Sequence, residues 1–72
     1  MSPTIERIAN PNNEVKNGVT HHVYIENGRI VHVEKIINQK VVQTYDWSYM
    51  SVEELREVAL CSGHESYTLI TQ

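Results

Sequence analysis

The chain has one cysteine, one tryptophan and no phenylalanine among its 72 residues, and only six lysines and arginines. A lone cysteine, Cys61, excludes an intramolecular disulfide. A single domain of this length buries roughly 60% of the surface its unfolded chain exposes, and its own core supplies on the order of 3 to 5 kcal/mol. A partner subunit or a bound metal would therefore matter to it.

No apolar run approaches the ~18 residues needed to cross a bilayer. No segment is a basic amphipathic helix suited to lie on one, and no basic stretch followed by an apolar one stands at the N-terminus. The expectation is a cytoplasmic protein with no membrane partner. The net charge is -3, and the cations are scattered singly from Arg7 to Arg56. Nucleic-acid affinity rests on clustered cations that release counterions, so no nucleic-acid partner is expected. The carboxylates are too few and too dispersed to imitate a phosphate backbone. A glycine-rich phosphate loop, a nucleophile elbow and a telling His and Ser spacing are all lacking, and so short a chain offers little room for a closed pocket. The expectation is a protein that is not an enzyme and carries no cofactor.

What is present is β-forming sequence and one helix. Thr20 to Glu26 and Arg29 to Ile37 are rich in β-branched residues and flank Asn27-Gly28, the dipeptide best suited to a type I′ turn. Asn38 to Lys40 reads as the next turn, and Val41 to Trp47 as a third strand returning on the second. In "SVEELREVALCSG", Ser51 and Glu54 fit a capping box, Glu53 and Glu54 suit the positive helix end, and Gly63 suits a left-handed stop. Val52, Leu55, Val58 and Ala59 make the inner stripe. Glu65 to Thr71 alternates again as a strand.

The fold class is thus α+β, a small antiparallel sheet of three to four strands with one helix, in the order β-β-β-α-β. Residues 1–18 read as an N-terminal arm or linker, and residues 19–72 as the single domain. Within the arm, Ser2 to Ala9 fits either a short helix, with Ser2 as N-cap, Pro3 at the first helical position and Asn10-Pro11 as the stop, or an extended segment, and Asn10 to Gly18 is an Asn-rich loop. The strands carry apolar groups on both faces, whereas one wet face would alternate apolar with polar residues. One helix covers one face, so the other, unless the N-terminal segment supplies its cover, calls for a homodimer or another protein.

Three groups of residues invite a chemical reading. With a regular two-residue turn, His21 lies opposite Glu34 and diagonal to His32, giving two imidazoles and a carboxylate on one face. They are either an open metal site or a cross-strand pair beside a half-buried histidine, and a shift of one residue dissolves the group. Cys61 and His64 make half of a zinc-ligand spacing. The helix C-terminus opposes a thiolate, so Cys61 is expected as a small packing residue. Finally, Tyr45, Trp47, Tyr49 and Met50, with Tyr24 in the hairpin, are of the types enriched at interface centres. The alternative for Trp47 is to seal the end of a small core. The function expected is a small protein-protein interaction module of accessory, regulatory or inhibitor type, with a metal-binding or small-ligand-binding oligomer as the alternative.

Overall fold

A computed structural model describes residues 3–8, 18–61 and 65–72. The elements run β1 (Thr4–Ile8), β2 (Val19–Glu26), β3 (Arg29–Ile37), β4 (Lys40–Tyr45), α1 (Val52–Cys61) and β5 (Ser66–Thr71). They form one five-stranded sheet, ordered β1-β5-β2-β3-β4, with the helix on one side. The α+β class holds, and the expected sheet of three to four strands has five. The additional strand is β1, whose residues pair antiparallel with β5 from Thr4↔Thr71 to Ile8↔Tyr67. The expected helical stop at Asn10-Pro11 and the cap at Gly63 lie outside the described residues.

Asn27 and Gly28 turn the β2–β3 hairpin with φ of 52° and 75°, both left-handed as a type I′ turn requires. No atom crowds a Cβ added at Gly28, so a side chain there meets only the backbone penalty. Gly28→Ala should cost about 1–2 kcal/mol and lower the thermal midpoint by about 5–10 °C, read by circular dichroism. A second left-handed pair, Asn38 and Gln39 at 51° and 67°, turns β3 into β4.

Beyond its turn the hairpin departs from a regular ladder. Glu26↔Arg29 and Ile25↔Ile30 pair as expected, but Tyr24 then pairs with His32, Val23 with Val33, His22 with Glu34 and His21 with Lys35. Val31 is the extra residue of a β-bulge. The bulge lets Ile30 and Val33, three residues apart, both face the core at 1% and 0% exposure while Val31 stands 49% exposed. Burial of two large aliphatic groups decides the register. A second irregularity lies between β3 and β4, where Ile36 pairs with Val41 and Lys35 with Gln43.

The expected all-antiparallel sheet is also corrected. β5 runs parallel to β2, with Val23 beside Leu69, because α1 carries the chain from edge strand β4 back across the sheet. Parallel neighbours need such a crossover.

The core lies between that helix and the sheet, built from Ile8, Val23, Ile25, Ile30, Val33, Leu55, Ala59, Tyr67 and Leu69. Ser51 caps α1 through a hydrogen bond that the Glu54 N–H donates to its Oγ at 3.1 Å. Of the expected inner stripe, Leu55 and Ala59 are fully buried, Val52 packs against the core from its edge, and Val58 is exposed. The sheet contact follows the i, i+4 row and leaves Val58 beside it. Cys61 is exposed rather than packed. It stands about 200° round the helix from Ala59.

Candidate functional site

The sheet has two unlike faces, and the expected site residues divide between them. His21, Val23 and Ile25 face the helix, as do their partners Tyr67, Leu69 and Thr71 on β5. Tyr24 and His22 face the other way with their partners His32 and Glu34. The bulge therefore separates His21 from His32 and Glu34, and the three-residue metal site expected from a regular ladder does not form. Among the described residues, no group of three or more His, Cys, Asp and Glu side chains is placed to hold a metal ion. His64 lies outside those residues.

On the helix side, His21 is the centre of an aromatic group. The residue is 3% exposed, and its ring stacks on Tyr67 at a centroid distance of 4.5 Å and 10° between planes. Trp47 lies 6.1 Å away and Tyr45 6.2 Å. The Glu65 carboxylate approaches Nδ1 at 3.9 Å, too far for a hydrogen bond, and Nδ1 is buried without a hydrogen-bond partner. Burial holds the imidazole below its ordinary pKa, and nearby Lys35 adds to this while Glu65 and the Ser66 backbone oppose it. The neutral ring packs as an aromatic.

The "YDWSYM" segment closes this end of the molecule. Asp46 Oδ1 accepts the Ser48 N–H at 3.2 Å, and the Met50 N–H donates to the Trp47 carbonyl at 3.0 Å. That turn folds Tyr45, Trp47 and Met50 back on the core, each half-buried. Tyr49 is left 78% exposed, beside a shallow depression of about 380 Å³ with Gly28, Arg29, Ser48 and Glu54 in its lining. Tyr24 is on the far face, so the five residues expected to make contact do not form one surface.

The far face is where the sequence leaves groups in the open. Strand pairing aligns Ile5, Ile70, Tyr24 and His32 in one row across four strands, and Arg7, Thr68, His22, Glu34 and Thr44 in the next across all five. Among the described residues no element packs over these rows. Tyr24, His22, Thr68 and Ile70 are half-buried, and Ile5, Arg7, His32 and Thr44 are exposed. Several of the polar groups are paired within the face. The Tyr24 hydroxyl donates to Glu34 Oε1 at 3.0 Å, His32 Nε2 lies 3.4 Å from Glu34 Oε2, and the Ser66 hydroxyl donates to Thr20 Oγ1 at 2.8 Å. Burial and the Glu34 carboxylate raise the Tyr24 pKa, so the phenol stays a donor at neutral pH. The grouping of Tyr24, His32 and Glu34 was missed because it depends on the bulge. A usable signal was the spacing of Ile30 and Val33, which cannot both face the same side of a regular strand.

No helix among the described residues is long and apolar enough to cross a membrane. The chain matches no protein-family model, no curated protein and no solved structure.

Proposed function

We propose that this chain is a cytoplasmic protein-protein interaction module, not an enzyme, and that it engages its partner through the sheet face bearing Tyr24. The observation that carries the reading is a two-faced sheet with one helix. One face is sealed by Leu55 and Ala59, and the other presents Ile5, Ile70 and Tyr24 in one row. A partner that covers this face gains apolar area at small polar cost, because Tyr24, Glu34, Thr20 and Ser66 already hydrogen-bond one another. Trp47, Tyr45 and Met50 serve the core in this reading, which moves the contact residues to the open face.

Native mass spectrometry of the protein purified from its own host tests it, since one spectrum reports stoichiometry and any co-purifying chain. The expected result is a complex that is lost in the double variant Tyr24→Arg and Ile70→Arg, with the helix signal retained. A bare monomer, or a complex indifferent to that variant, overturns the proposal.

A further inference from the structure

Resting on that reading, we infer that the partner on the open face is a second copy of this chain, packed sheet to sheet about a two-fold axis running along the strands between β5 and β2. The order of residues in the two rows carries the symmetry. Such an axis reverses each row upon itself. In the row Ile5–Ile70–Tyr24–His32, Ile70 then lies over the second copy's Tyr24, and Ile5 over its His32. In the row Arg7–Thr68–His22–Glu34, Arg7 lies over the second copy's Glu34, and Thr68 over its His22.

Arg7 and Glu34 of this second row are therefore complementary to each other across the axis, and Thr44 lies beyond the four overlapping strands. Arg7 is exposed and has no ion-pair partner among the described residues. The other arginine on the β1 side, Arg56, pairs with Glu6 on the helix face. The two-fold axis generates two Arg7–Glu34 pairs across the interface, flanking two Ile70–Tyr24 contacts at its middle. Sheets packed face to face cross at about 30°. That angle displaces the outer strands by only about 4 Å at the spacing between strands, within the reach of an arginine side chain.

The extent of the face sets the strength. Four strands at about 4.8 Å spacing and two residue rows about 6.7 Å apart cover on the order of 250 Å² of each copy. This is below the lower bound of about 1,000 Å² in total for a stable specific interface, so the dimer is weak, concentration-dependent and loosened by salt.

Sedimentation velocity on the purified full chain, with circular dichroism of every variant to establish folding, decides the matter. The wild type should dimerise reversibly. Arg7→Glu and Glu34→Arg should each weaken the dimer about tenfold or more, and the double variant R7E/E34R should restore it by re-forming the pair in reverse. A wild type that stays monomeric to about 1 mM overturns the inference. So does a dimer that both single variants leave intact, or one that the double variant fails to restore. A complex with a different protein, lost on substituting Tyr24 and Ile70, also overturns it while the interaction reading above survives.

Discussion

Leu55→Ala is expected to unfold most of the protein at room temperature. Leu55 is 0% exposed and sits between the helix and the sheet, in contact with the core that Val23, Val33 and Leu69 form. Truncating a fully buried leucine costs about 2–5 kcal/mol, through lost transfer energy and the cavity left behind. A domain of this size holds about 3–5 kcal/mol in total, so one side chain decides between folded and unfolded. Urea titration by circular dichroism should show little or no folded baseline, and a residual transition should melt at least 10 °C or so below wild type. Val58→Ala is the control three positions along the same helix. Val58 is 44% exposed, and the change should stay within about 0.5 kcal/mol. Should the two variants melt alike, the helix does not pack through Leu55.

The second large effect is on acid stability. In the unfolded chain His21 titrates near its ordinary value of 6.5, and burial lowers that value in the fold. Between the two values the unfolded chain binds more protons than the native one, so stability falls as pH drops through 6.5 toward the folded pKa. The groups facing the ring are Glu65, Lys35, Tyr45 and Tyr67. Glu65 attracts the imidazolium and Lys35 repels it, but burial is the largest influence. His21→Phe keeps a flat ring against Tyr67 and removes the buried Nδ1 that lacks a partner. The urea midpoint of wild type should fall between about pH 7.5 and 5.5, and the fall should shrink in His21→Phe. His22 and His32, on the opposite face, are present in both proteins, so the difference belongs to His21. Equal falls would show that His21 is not the group responsible.

Local signals in the sequence carried as far as single elements. Asn27-Gly28 declared its turn, because few residues tolerate two successive left-handed conformations. Ser51 and Glu54 declared the helix start, and Gly28 and Ser51 stand where those signals put them. Which residues meet across strands was not readable in the same way. One extra residue at Val31 exchanges the faces of everything beyond it on β3 relative to β2, and so His32 and Glu34 moved away from His21. The preference for the bulge is a property of the whole core, since it exists to bury Ile30 and Val33 together. The helix face was legible at Leu55 and Ala59 and misjudged at Val58, where the apolar period continues but the sheet does not. The place of β5 was equally out of reach. Its alternation says strand, but nothing within six residues says that it lies inside the sheet and parallel to β2.

That place has a bearing on how the chain comes to be folded. β1 hydrogen-bonds only to β5 within the sheet, so it has no berth until β5 has docked against β2. A ribosome releases Thr4–Ile8 more than sixty residues before Thr71. The β2–β3–β4 meander and then the helix can assemble in the interval, since each uses neighbours already made. The strand synthesised first is the one that must wait, and it closes the sheet last.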